Sequence, residues 1–342
     1  MSRERWLLLS DGARPTEDIY FLESVAPELR SEGHDVGRLD VRAWRWRLAR
    51  WILSRQLGAN LVLCRTLPNR VLHWLERQRD IFGRIAYLID DDIPAAADDE
   101  GLPAAYRRRM AHIAAIQPRL LALADVVVAS SVGLASRLAD CHDDVRILTP
   151  PLIAPLPDLS HFDESCCQVG FHGTRAHLAD LQHIAPALRR LHDTSPHVSL
   201  EVMLGSHTPA ELQGLERLES PNAMSWKGFR GYQQRRRIHI GLAPLLDSAF
   251  NRGKSFIKFL DISVMGGVGV YSRRPPYTEI VEHGVTGLLV DDTPQAWYGA
   301  LRYLVERPDV ARRMAQNAAR IARERGDPAH AAAFWYRLGS AV

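Results

Sequence analysis

The chain alternates short apolar segments with longer amphipathic ones, and it does so twice. Trp6–Ser10, Val36–Val41, Leu61–Arg65, Arg84–Ile89, Val126–Ser130 and Val145–Leu148 read as strands. Between them Asp18–Glu32, Ala43–Gly58, Asn69–Phe82, Ala104–Ala124 and Val132–Cys141 carry helical spacing. Such alternation predicts a parallel sheet covered by its connecting helices. Pro150–Asp163 then breaks the pattern with four prolines and no period, so it reads as a linker. After it the alternation restarts with Val169–His172, Leu178–His192, Val198–Leu204, a strand ending near Phe229, Ile240–Leu246 and Val268–Tyr271. Trp297–Val305, Asp309–Glu324 and the tail Pro328–Leu338 read as helices. The expected fold is α/β. It has two Rossmann-like doubly wound domains facing across a cleft, at residues 1–155 and 156–342, with a last helix free to pack back on the first.

Composition narrows the function classes. Of 342 residues 46% are hydrophobic and 24% charged, the balance of a globular protein. A net charge of +3 is too small to argue for a nucleic-acid partner. No apolar run reaches the roughly 18 residues of a membrane span, and the N-terminus lacks signal-peptide architecture. Cys64, Cys141, Cys166 and Cys167 have neither zinc nor disulfide-framework spacing. Reduced thiols in a cytoplasmic protein are expected.

The densest chemistry lies between His239 and Val290. An apolar strand, Ile240–Leu246, meets a polar turn holding Asn251, Arg252, Gly253, Lys254 and Ser255. A helix with Lys258 and Asp261 follows, then a strand, then a turn with Tyr277, Thr278 and Glu279. Backbone amides at a helix start with cations beside them suit a diphosphate. A carboxylate further along that helix suits sugar hydroxyls. Gly-Lys-Ser here is not a P-loop, because the motif's first glycine is missing.

This stretch resembles the donor-binding half of GT-B glycosyltransferases, specifically the large retaining family 4. Lys254, Lys258, Asp261, Gly266, Glu279, Gly284 and Gly287 fall on the family pattern. The resemblance covers about residues 168–325 and is weak over the first half. It implies the GT-B arrangement, a nucleotide diphospho-sugar as co-substrate, retention of anomeric configuration and no obligatory metal or other cofactor. It also implies that Arg252, Lys254, Ser255 and Lys258 hold the diphosphate and that Asp261 binds the ribose. Two departures stand out. The usual helix glutamate is Asp261, and a second carboxylate position eight residues upstream is Gly253.

Other residues join this picture. Gly173 and Thr174 follow the first strand of the second half and resemble the family's turn facing the phosphates. Gly173 permits close backbone approach and Thr174 is a candidate helix cap. Glu279 matches a family position, although a first-turn glutamate also suits the helix dipole. Asp90–Asp92 end an apolar strand of the first half. There Asp91 or Asp92 is a candidate to position or deprotonate an acceptor hydroxyl, with helix capping or a hydrated acidic loop as the alternative.

Ala43–Arg55 mixes tryptophan with arginine. Trp44, Leu48, Trp51 and Ile52 share one helical face, assigned to the core, while Trp46 and Leu53 point the other way. The outward face suits an anionic membrane surface, or equally a solvated arginine surface. The expected function is transfer of a sugar from a nucleotide diphospho-sugar to a glycan or lipid-linked acceptor. It would occur in the cytoplasm, with peripheral attachment to the inner membrane face as an extension. The alternatives are a non-catalytic sugar-nucleotide binding module and a sugar-nucleotide epimerase.

Overall fold

The protein is described by a computed structural model over residues 3–42 and 46–340. Six strands form the first sheet: β1 (Arg5–Ser10), β2 (Asp35–Asp40), β3 (Asn60–Cys64), β4 (Ile85–Ile89), β5 (Val126–Ala129) and β6 (Val145–Ile147). Six form the second: β7 (Cys167–Phe171), β8 (Val198–Val202), β9 (Leu218–Glu219), β10 (Ile240–Ala243), β11 (Val268–Ser272) and β12 (Gly287–Val290). The orders are β2-β1-β3-β4-β5-β6 and β12-β11-β10-β7-β8-β9, and the pairings are parallel. Central strands β3, β4 and β10 are buried throughout, as expected for sheets covered on both faces. Each order reverses at one place, between β1 and β3 and between β7 and β10. Ligands of doubly wound sheets bind outside the carboxyl ends of strands at such switch points.

Several sequence expectations need correction. The helix expected over Ala104–Ala124 is two helices, Ala104–Ala114 and Gln117–Leu123. Pro118 has no N–H for the continuing ladder, and its ring crowds the preceding turn. The strand expected to end near Phe229 is instead a helix, Trp226–Arg235. Its N-cap Ser225 accepts a hydrogen bond from the Gly228 amide at 3.2 Å. Asp18–Glu32 is broken into a π-helical turn, Asp18–Leu22, and a short helix, Ala26–Ser31.

The Trp-Arg segment forms the helix Trp46–Leu53, and its faces are the reverse of those expected. Leu53 and Ala49 are buried, and Trp46 packs edge-on against Trp74 with ring centroids 6.3 Å apart. Leu48 and Trp51 face solvent. Trp44 lies outside the described residues. The segment carries apolar residues on both faces, so its period gives the helix without deciding which stripe meets the sheet.

The two halves are tightly joined. Phe250, from the second half, is buried in the core of the first, its ring centroid 6.3 Å from that of Tyr106. The final helix, Pro328–Ser340, returns to the first half. There Trp335 packs edge-to-face with Trp6 and Phe21 at 5.6 and 4.9 Å and donates Nε1–H to the Tyr20 carbonyl at 2.9 Å. Trp226 Nε1–H donates to Asp18 at 2.8 Å across the same junction.

Gly133 marks the closest approach. A Cβ there would lie 2.1 Å from the Arg252 carbonyl oxygen, and the neighbouring Ser131 hydroxyl donates to the Gly253 carbonyl at 2.8 Å. Gly133→Ala must therefore push the halves apart locally. An overpacking cost of about 1–3 kcal/mol is expected in thermal unfolding, together with reduced turnover. An unchanged melting curve would show that this contact does not hold the halves together.

Candidate functional site

The switch point of the second sheet gathers most of the residues singled out by the sequence. The β7 strand ends at Phe171, and His172, Gly173 and Thr174 follow at its carboxyl end. A Cβ on Gly173 would lie 2.7 Å from the Phe171 ring, so glycine is needed for this turn. The β10 strand ends at Ala243 and leads through Ala249–Arg252 to Gly253, Lys254 and Ser255. The helix Ile257–Val264 then carries Lys258 and Asp261.

Lys258 Nζ donates to the His172 carbonyl, joining the two turns, and to Asp261 Oδ2 at 3.2 Å. Gln233 Nε2 holds the other Asp261 oxygen at 2.9 Å. The amides of Ser255 and Phe256, just before that helix, have no backbone acceptor among the described residues. Two lysines and free amides at a helix start make a cradle for a polyanion.

Lys254 is not idle in this structure. Its Nζ donates to Asp91 Oδ1 at 2.7 Å, across 163 residues, and sits 3.9 Å from the Phe250 ring centroid. Arg65 Nη1 donates to Asp91 Oδ2 at 2.8 Å and to Asp90 Oδ1 at 2.6 Å. Thr16 donates to Asp90 Oδ2 at 2.7 Å. Burial alone would raise the Asp91 carboxyl, but the Lys254 ammonium and the Arg65 guanidinium hold it well below the ordinary carboxylate range. Burial likewise opposes the Lys254 charge, and Asp91, Tyr106 and Asp90 together more than offset it. Asp91 is thus an anion at neutral pH, facing the turn that the sequence assigns to phosphate.

Asp92 behaves differently. Its Oδ1 accepts the Ala95 amide at 3.0 Å as the N-cap of Ile93–Asp98, and its Oδ2 takes Arg137 Nε at 3.3 Å. Its side chain is the one that Gly253 accommodates, since a Cβ on Gly253 would lie 3.1 Å from Asp92 Cβ.

The remaining residues are placed as follows. Ser255 is buried, with its Oγ 3.4 Å from the Tyr20 hydroxyl of the first half. Arg252 is exposed and pairs in solvent with Asp247 at 2.9 Å. Thr174 is exposed and makes no side-chain cap to the 3₁₀ turn after it. Glu279 is exposed at the turn after β11.

Two residues, Arg65 and Tyr106, were missed by the sequence reading. Arg65 has φ +58°, which places a non-glycine residue in the left-handed region at the end of β3. Its carbonyl accepts the Tyr87 hydroxyl at 2.9 Å, and that strained position aims its guanidinium at Asp90 and Asp91. Tyr106 sits beside them, its phenol raised by burial and then by Asp91. Asp180, a weaker sequence candidate with Arg175 and His177 on the helix after Thr174, accepts from the Leu246 amide, from Asn251 and from His177 at 2.8, 3.1 and 2.9 Å, and so fixes the start of the cation turn. Only Arg65, at the end of a strand, had a signal that could have been found.

A groove of about 600 Å³ lies elsewhere, against edge strand β12. Leu288, Val290, Tyr303 and Met314 line it. It is mainly apolar and lies away from the switch point, so it is not the candidate site.

No protein-family model and no curated sequence matches the chain. Solved structures do match, over nearly its whole length. A sucrose-phosphate synthase from Thermosynechococcus elongatus aligns with a TM-score of 0.72 at 13% identity, covering 98% of each chain. HepE from Anabaena, in complex with UDP-glucose, aligns with 0.64 at 14% identity, covering 99% of this chain and 100% of that one. The chain has the GT-B fold. A structure described as a UDP-N-acetylglucosamine 2-epimerase from Listeria monocytogenes shares it, with a TM-score of 0.60 at 13% identity over 99% of this chain and 96% of that one.

Proposed function

We propose that the protein is a glycosyltransferase using a nucleotide diphospho-sugar. The observation that carries this reading is the pair Lys254 and Lys258, set beside free amides at the switch point of the second sheet. HepE, of the same fold, holds UDP-glucose. In this reading Lys254 and Lys258, with the Ser255 turn, hold the diphosphate and stabilise its charge as it leaves. Asp261 takes the ribose, where a nucleotide displaces one of its present partners. Gly173 and Thr174 close the phosphate side from β7. Arg252 and Glu279 lie at the rim and contribute after rotation of their exposed side chains.

In this reading Asp91, which meets Lys254 from the first half, orients or deprotonates an acceptor hydroxyl. It also supports a specific reading of Gly253. The carboxylate absent there is replaced in this reading by Asp91 of the opposite domain, while Asp92 packs against Gly253 as a helix cap. Retention, membership of family 4 and a glycan or lipid-linked acceptor belong to the same proposal and rest on the motif resemblance. A second reading, epimerisation of a sugar nucleotide, has the Listeria neighbour behind it. It predicts conversion of the sugar nucleotide without any acceptor.

Two measurements test the proposal. Thermal shift against UDP, GDP, dTDP, ADP and CMP should pick out one nucleotide, because a ligand at one hundred times its Kd adds about 2.7 kcal/mol of stability. No shift with any of them would remove the donor assignment. Transfer should also survive EDTA, since lysines supply the phosphate charge in this reading. Full loss restored by manganese or magnesium would move phosphate binding to Asp90–Asp92.

A further inference from the structure

The Trp46–Leu53 helix presents an apolar face to solvent. Leu48 and Trp51 lie opposite the buried Ala49–Leu53 stripe and are 46% and 53% exposed. Leu57, in the turn before β3, is 58% exposed. Four large hydrophobic residues are 46% exposed or more among the described residues, and three of them fall within ten positions here. Exposed apolar side chains are normally scattered singly, so a cluster marks an interaction surface.

The chain segment that carries the cluster is strongly basic. Arg47 and Arg50 are exposed on the same helix. The Arg55 guanidinium lies 3.7 Å from the Trp51 ring centroid and donates to the Trp51 carbonyl. Arg5 donates to the Leu57 carbonyl. No aspartate or glutamate occurs between Asp40 and Glu76, while seven arginines do. Exposed Asp35 lies opposite Arg5, and Asp80 adjoins the Ile81 that bonds Gly58. Four arginines outnumber them, so an indole, two leucines and guanidinium groups make a net basic face complementary to an anionic bilayer. The apolar groups reach the acyl boundary, and the arginines meet lipid phosphates.

We propose that the first domain docks on an anionic bilayer through Leu48, Trp51 and Leu57, with Arg5, Arg47, Arg50 and Arg55 on the headgroups. This face is opposite to the Trp46 and Leu53 face expected from the sequence. The helix runs from the carboxyl end of β2 toward the amino end of β3, so the docking surface is the flank of the first domain. Docking agrees with a lipid-linked acceptor but does not require one, and its test needs no turnover.

The test is co-sedimentation of the full chain with vesicles of phosphatidylcholine, alone or mixed with phosphatidylglycerol. Binding is expected only to the mixed vesicles and should be lost in 1 M salt, where the Debye length is about 3 Å. Each arginine near the surface is worth roughly fivefold in partition. Arg47→Glu with Arg50→Glu should therefore lower binding at least tenfold, on the order of two such factors. Trp51→Ser with Leu57→Ser should abolish it. Both pairs are exposed, so melting temperatures should match the parent chain.

Absence of binding, equal binding to both vesicles, or full binding by either pair of variants would overturn the proposal. So would a dimer found by light scattering that Trp51→Ser with Leu57→Ser dissolves, because a second copy would then cover this face.

Discussion

Lys254→Ala is expected to lower kcat/KM by roughly 100-fold or more, the scale of losing one preorganised group that stabilises developing charge, about 2.7–4 kcal/mol. The Lys254 ammonium is held between the Phe250 ring and Asp91, so it is fixed before any donor arrives. A phosphate meeting a fixed cation avoids reorganisation in the transition state. The variant should fold, because Asp91 keeps its contact with Arg65 at 2.8 Å and is not left as an isolated buried anion. Lys254→Arg should restore part of the activity. Kinetics within about threefold of the parent, under ~0.7 kcal/mol of transition-state stabilisation, would remove Lys254 from the donor site.

Asp91→Asn should separate the two roles open to this carboxylate. If Asp91 orients or deprotonates the acceptor, kcat falls by roughly 100-fold or more. Nucleotide affinity then holds or rises, because Lys254 no longer shares its charge with an internal anion. If Asp91 serves only to place Lys254, affinity falls and kcat follows it at low donor concentration. Calorimetry with the nucleotide found by thermal shift, combined with kcat at saturating donor, distinguishes the two outcomes. Loss of affinity with an unchanged kcat would end the acceptor assignment. The pair is charged over the accessible range. Asp91, depressed in the fold, loses its stabilising contribution as pH falls through the ordinary carboxylate range toward its lower folded value. Lys254, raised, loses its own only as pH rises above the usual lysine value. A pH profile between 5 and 9 should therefore report acceptor chemistry and not loss of this contact.

The sequence by itself determined the two parallel sheets and the cation turn. Both are local signals: apolar runs of strand length separated by helical spacing, and a polar turn between an apolar strand and a helix. It also placed Lys258 and Asp261 one turn apart, and the helix brings them to 3.2 Å. Local signals failed where two local solutions compete. Pro118 divides a continuous helical pattern, Ser225 starts a helix where a strand was expected, and the Trp-Arg segment has apolar stripes on both faces, of which packing against Trp74 selects Trp46 and Leu53. Only the tertiary structure decided what the site is made of. The Asp91–Lys254 contact spans 163 residues, Arg65 reaches Asp91 through a left-handed backbone, and Gly133 and Gly253 matter because another domain comes against them. Spacing along a chain cannot encode such pairs. They arise when two separately folded sheets present the carboxyl ends of their strands to each other, and that distance is set by the packing of Phe250 and Trp335 across the junction.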